Sequence, residues 1–252
     1  MGAQVGIFCS SNRPELWLNL YSSLTYNDVD FNLCIVGPKP PIFFCPNRLT
    51  YIQSNVKPAQ CFFIAEHNTV GDYVMNTPDD VMYSPGCLDN LYCMVAEQNN
   101  VMSSAKYRCH TPHSAHNTFV FEGTYDSDDP RYRIDIDANI PICTMCSRSV
   151  FDNVGIDNNY LAVRWDIDMS FQLQSMGMKL IICRQSTVGD FGAFGVSQQF
   201  DDYLYLTDMW FGEDEITHLP YMRKQRKKLI VPLIYNDSVT KVSQGIRHPN
   251  WD

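Results

Sequence analysis

A chain of 252 residues is the length of one α/β domain, and at that size it would bury about 70–75% of the surface its unfolded form exposes. Its 28 acidic residues against 19 basic ones give a net charge of −9, which disfavours unspecific binding to a nucleic-acid phosphate backbone. The ten cysteines fall mostly within apolar runs, as at Cys9, Cys34, Cys61 and Cys183, where a free thiol packs as a small hydrophobe, and this counts against a disulfide scaffold.

The N-terminus, Met1 to Cys9, has neither a basic leader nor an apolar segment of signal-peptide length, and no run reaches membrane-spanning length. Gly6 stands where a lipidation signal needs Ser or Thr. The expectation is a reduced, soluble, cytoplasmic protein. Val5 to Cys9 reads as a first buried strand that delivers the polar turn Ser10-Ser11-Asn12-Arg13-Pro14. Trp17, Leu20, Tyr21 and Leu24 recur at helical spacing, which predicts a helix from Glu15 to Leu24. Phe31 to Val36 predicts a second strand, stopped by Gly37-Pro38, and Leu49 to Ile52 a third, followed by a helix from Ala59 to Glu66. Strands alternating with helices predict a mostly parallel central sheet flanked by helices, with ligands at the carboxyl ends of the strands.

Next, a short strand from Tyr73 to Met75 runs into the adjacent carboxylates Asp79 and Asp80, and Leu88, Leu91, Tyr92 and Val95 mark another amphipathic helix. Carboxylates at a strand end suit a hard divalent ion such as Mn²⁺ or Mg²⁺, although turns also favour Asp for backbone reasons. Further on, Met169, Leu173 and Met176 follow Trp165 at helical spacing, Gly177 supplies a stop, and Met178 to Cys183 reads as a buried strand. Asp166 and Asp168 therefore sit in a first helical turn, where the helix dipole favours ionised carboxylates. Such acids are common helix-starting chemistry, and an ionised one can also act as a base.

Taken together, Arg148, Phe151, Gly155, Asp157, Tyr160, Asp166, Asp168 and Gly177 resemble the C-terminal half of the catalytic domain of family-2 glycosyltransferases, which have the GT-A fold. Gly71-Asp72-Tyr73 followed by Asp79-Asp80 and Pro85 resembles that family's strand and its metal-binding Asp-x-Asp signature. The resemblance spans roughly residues 3 to 185. It implies a single GT-A-like, Rossmann-like catalytic domain over about 1–185, with a nucleotide-sugar half over about 1–100 and an acceptor half over about 101–185, and with 186–252 packed on it as an extension. It implies a glycosyltransferase, a hexosyl- or pentosyltransferase that inverts configuration. Asp166 would be the catalytic base, Asp79 and Asp80 would hold the metal, Asp79 would also face the donor, and Ser10, Asn12, Arg13, Lys57 and Asn68 would lie by the nucleotide sugar. Asp168 would hold the turn or an acceptor hydroxyl. The acceptor would be a glycan, a lipid-linked molecule or another hydroxyl compound.

The sequence departs from the family pattern in several places. Thr77 stands at the first Asp of the signature, Trp165 replaces an acid before the base, and the second strand ends Val36-Gly37-Pro38 where relatives place an acid. Arg184 to Asp190 contains no His where relatives often have a further metal ligand; His218 and His248 could serve, but read first as surface histidines. His110, His113 and His116 with Cys109, Cys143 and Cys146 supply enough ligands for zinc on paper, but their wide spacing favours loop histidines and packed thiols. Asp126 to Pro130 reads as a solvated loop, Asp135 and Asp137 as positions on a half-exposed strand, and Phe191 to Phe200 as an acceptor-side loop. The basic run Arg223 to Lys228 is a solvated face, a diphosphate contact or a peripheral membrane contact. Acceptor nucleic acid is a minority reading. Two alternatives stay open: a nucleotidyltransferase, or a non-catalytic carbohydrate- or nucleotide-sugar-binding protein of the same fold.

Overall fold

The computed structural model describes residues 4–98, 100–109, 119–121, 143–162 and 178–190, with Trp165, Asp166, Asp168, Met169, Gln172, Met176, Asp202, Tyr205 and Leu206. The chain begins with β1 (Val5–Ser10), α1 (Trp17–Leu24), β2 (Phe31–Gly37), β3 (Leu49–Gln53) and α2 (Pro58–His67). It continues through β4 (Tyr73–Asn76), β5 (Val81–Tyr83), α3 (Cys87–Glu97), β6 (Val101–Cys109) and β7 (Phe119–Phe121). β8 (Thr144–Ser147), α4 (Arg148–Val154) and β9 (Lys179–Asp190) follow. The backbone at Trp165, Asp166, Asp168, Met169 and Gln172 is helical, as the spacing predicts.

The strands form one sheet in the order β3-β2-β1-β4-β8-β6-β9-β5, with β7 on β6. From β3 to β4 every pairing is parallel, which is the part of the chain where strands and helices alternate. Beyond β4 the sheet is mixed. β8 runs antiparallel to β4 and β6, β6 and β9 are parallel, and β5 returns antiparallel on β9. The strand expected over Met178 to Cys183 begins at Lys179 and runs on to Asp190, because pairing with β6 continues past an irregularity at Ala105 and Lys106.

Alternation along β1 sends Val5, Ile7 and Cys9 to one core and Phe8 to the other. The first core holds α1 and α3 against the sheet, through Trp17, Leu20, Leu24, Leu88, Leu91 and Val95. The second holds α2, α4 and the Asp166 helix, through Cys61, Ile64, Phe151, Trp165 and Met169. α1 starts at Trp17 rather than Glu15 because residues after Arg13 first close a turn, with the Leu16 N–H donating to the Arg13 carbonyl at 3.0 Å. Among the described residues, no helix is long and apolar enough to cross a membrane.

Candidate functional site

Because β1 and β4 are adjacent and parallel, their carboxyl ends deliver two loops side by side. The turn through Pro14 starts at Ser10, the last residue of β1, and Thr77 to Asp80 follows β4, with the Thr77 N–H donating to the Phe8 carbonyl at 3.1 Å. Ser11 is the hinge between them. Its hydroxyl donates to Asp79 Oδ2 at 2.5 Å and accepts from the Trp17 indole N–H at 2.6 Å and from the Arg13 N–H at 3.0 Å. Arg13 completes the cluster: Nε donates to Asp79 Oδ2 at 3.0 Å, and Nη2 donates both to Asp79 Oδ1 and to Asp80 Oδ2, the latter at 2.9 Å. Burial opposes the charge on Arg13, but the hydrogen bonds and charge of Asp79 and Asp80 outweigh it and raise the guanidinium pKa.

The floor of this cluster is apolar and closed. Cys9 is fully buried beneath it, and burial first, then the charges of Asp79 and Asp80, push its thiol well up. Thr77, at the place of the family's first acid, is wholly buried; its hydroxyl accepts from Tyr83 at 2.8 Å and donates to the Pro78 carbonyl at 3.0 Å. Those two bonds hold it within the core.

Gly37, at the end of β2, fits under the same loop. A Cβ there would come within 1.7 Å of the Ser11 carbonyl oxygen, while the Ser11 N–H donates to the Val36 carbonyl at 3.0 Å. The place where the resembled family carries an acid is here a close backbone crossing that tolerates no side chain.

Lys57 is the N-cap residue of α2, which follows β3 at the same sheet edge. Asn68 is not brought there. It caps the other end of α2, its amide donating to the Ile64 carbonyl at 2.8 Å, and a ten-residue helix separates the two by about 15 Å. In this structure its side chain thus serves the end of α2. Arg148, the first residue of the recognised pattern, serves a similar holding role. It donates to Glu66 Oε1 at 2.5 Å and to the Thr69 carbonyl at 2.7 Å, tying α4 to the end of α2.

The segment leading to Asp166 is fixed from three sides. The Leu161 carbonyl accepts from the Ala59 N–H at 2.9 Å in the first turn of α2, and Asp202 Oδ2 accepts from the Leu161 and Ala162 N–H groups at 2.9 and 2.8 Å. Trp165 then packs on Phe62 at a centroid distance of 4.8 Å, and Phe62 meets Phe8 of β1 at 6.3 Å. Asp166 is half-buried at this helix start. Asp168 is fully buried and accepts from Gln172 at 2.9 Å, which suits a role in holding the turn. Asp157 accepts from the Asn159 N–H at 2.9 Å and from the Tyr205 hydroxyl at 2.9 Å.

The sequence places the Ser10 to Pro14 turn at a candidate site but gives Ser11 no role of its own, and it gives none to Trp17. Trp17 was placed only by its helical spacing, and its polar edge carried no signal. Cys143 and Cys146 belong to opposite cores, so they do not face a common ion, and among the described residues no three His, Cys, Asp or Glu side chains gather around one point. The other expected features at 110–116, 126–130, 135–137, 191–200, 218, 223–228 and 248 lie outside the described residues.

No family model and no curated protein matches the chain. Solved structures do. The crystal structure of S. aureus TarS 1-349 superposes with a TM-score of 0.53 at 10% identity, covering 74% of this chain and 60% of that one. A longer TarS crystal structure gives 0.55 at 10% identity over 74% of this chain and 36% of that one. GalNAc-T7, crystallised with UDP, GalNAc and Mn²⁺, gives 0.59 at 9% identity over 84% of this chain and 48% of that one. The chain thus spans between about a third and three-fifths of the length of these structures. They are GT-A-type glycosyltransferases, and the fold of this chain is the GT-A fold.

Proposed function

We propose that this chain is an inverting glycosyltransferase that moves a hexosyl or pentosyl group from a nucleotide-diphosphate sugar to an acceptor hydroxyl. The observation that carries this reading is the meeting of the Ser10–Pro14 turn with Asp79 and Asp80 at the carboxyl edge of two adjacent parallel strands, where ligands of such sheets bind. The GT-A fold and the UDP, GalNAc and Mn²⁺ in the GalNAc-T7 crystal support it.

The two adjacent carboxylates fit a hard divalent ion, which needs only one or two protein acids when diphosphate oxygens and water complete its shell. Asp79 and Asp80 would hold it, and when bound the ion would place positive charge beside the leaving diphosphate. Ser10 and Asn12 flank the nucleotide in this reading, and Lys57 adds charge from the start of α2. Asp166 takes the proton of the acceptor hydroxyl as that oxygen bonds to the anomeric carbon. The bond from that carbon to the phosphate oxygen breaks on the opposite face, and the nucleoside diphosphate leaves with the electron pair. The acceptor is a glycan, a lipid-linked molecule or another hydroxyl compound, with peripheral membrane contact through Arg223 to Lys228 as one way to reach a lipid-linked one. The anchoring of Leu161 on α2 and of Trp165 on Phe62 supports a position of Asp166 toward the same edge.

Asp166→Asn is expected to lose about 10²–10⁴ in transfer rate while keeping the thermal stabilisation given by a nucleoside diphosphate with Mn²⁺. Transfer at the parent rate would remove Asp166 from the role of base. Thr77 at the first acid position favours a second reading, a non-catalytic nucleotide-sugar-binding protein of this fold. Binding of diphosphates without donor hydrolysis or transfer by the parent chain would select it.

A further inference from the structure

The acid pair of this site already holds a cation. The Arg13 fork spans both carboxylates, Ser11 supplies a further donor to Asp79, and Asp79 is only 5% exposed. A divalent ion would approach oxygen atoms that now accept from Arg13. Two like charges this close need a positive partner, and once paired they have less to offer a second cation. Arg13, in turn, lies partly open at the loop surface, with its side chain 20% exposed. A guanidinium exchanges one oxyanion fork for another without loss of geometry, since carboxylate and phosphate both match its paired N–H groups.

We propose that Arg13 competes with the divalent ion for Asp79 and Asp80, and that the donor diphosphate relieves this competition by drawing the guanidinium onto its own oxygens. The ion and the diphosphate then bind interdependently, each raising the affinity for the other. This rests on the glycosyltransferase reading for the identity of the anion, but not for the competition between Arg13 and the ion. Thr77 sharpens the effect, because the buried hydroxyl at the first acid position adds no carboxylate that the ion could hold while Arg13 stays in place.

Calorimetric titration tests the proposal with Mn²⁺ alone, and then with UDP, GDP, dTDP and CDP, each with and without Mn²⁺. In the parent, Mn²⁺ alone binds weakly and the preferred diphosphate tightens it by about tenfold or more. In Arg13→Gln, Mn²⁺ alone binds about tenfold more tightly than in the parent, and the tightening by diphosphate falls to within about threefold. Arg13→Lys, which keeps the charge but loses the fork, lies between the two and serves if the Gln variant does not fold. The double variant Asp79→Asn with Asp80→Asn loses the Mn²⁺ site. Equal or weaker Mn²⁺ binding in Arg13→Gln and Arg13→Lys overturns the proposal, as does independent binding of Mn²⁺ and diphosphate in the parent. If no diphosphate binds the parent under any condition, the interdependence falls together with the nucleotide-sugar reading. The Mn²⁺-only comparison then still decides whether Arg13 guards the acid pair.

Discussion

The carbonyl oxygen of Ser11 stands 1.7 Å from the point where a side chain at Gly37 would begin, and backbone on both sides leaves little room to yield. Gly37→Ala must therefore push the Ser10–Pro14 turn away from β2 and loosen the Ser11 bonds to Asp79 and Trp17. The expected loss is about 1–3 kcal/mol of stability, the usual cost of forcing extra volume into a packed site, together with weaker nucleoside diphosphate binding. Urea denaturation and calorimetry read the two effects, and a variant with parent values in both would show that the crossing is not needed. This residue also shows what a pattern can hide. In the sequence, Gly37-Pro38 reads as a strand stop, and only the folded chain reveals that the small residue makes room for a loop 26 positions earlier. Arg13 is a parallel case: the turn was legible as a site, but its partners Asp79 and Asp80 were assigned to a different task.

At the scale of elements, the periodic segments formed where their spacing put them. α2 was expected from Ala59 to Glu66 and runs Pro58–His67, with Pro58 at its first position as helix starts favour. The return strands β6 and β8 were not legible. β6 buries Ser103 and Ser104 in mid-strand, and β8 has only four residues, so neither shows the apolar run or alternation that marks a strand. The segment before Asp166 likewise takes its shape from Asp202, which lies 40 residues beyond Ala162 and caps two buried N–H groups. Asp202→Ala leaves both without their acceptor, at a cost on the order of 1–3 kcal/mol each. It is expected to lower the denaturation midpoint and, under the proposed function, to reduce transfer, because Asp166 follows closely. Parent stability in this variant would mean that the segment holds itself.

At the scale of the molecule, the two cores decide the chemistry of the thiols. Burial pushes Cys34 and Cys61 up to about 12, and Cys87 likewise to about 12, which leaves almost no thiolate at neutral pH to react. Cys93 is exposed on α3. Of the nine cysteines whose side chains are described, Cys93 is expected to be alkylated first by iodoacetamide at pH 8, with Cys45 slower. Cys34, Cys61 and Cys87 should react only as fast as the protein opens, which peptide mass mapping over time would follow. Labelling of these three at the rate of Cys93 would show that the cores are not closed. What the sequence by itself determined is the alternating first half, its strand ends and the two acidic stretches, because helix and strand periods and turn chemistry are local properties. What only the tertiary structure decided is the antiparallel return of the sheet, the burial of Thr77 and the closure of Asp79 and Asp80 by Arg13. Those contacts join residues that lie 66 and 67 positions apart, and a pairing across such a distance is set by the order of the strands in the sheet and leaves no mark on the neighbouring sequence.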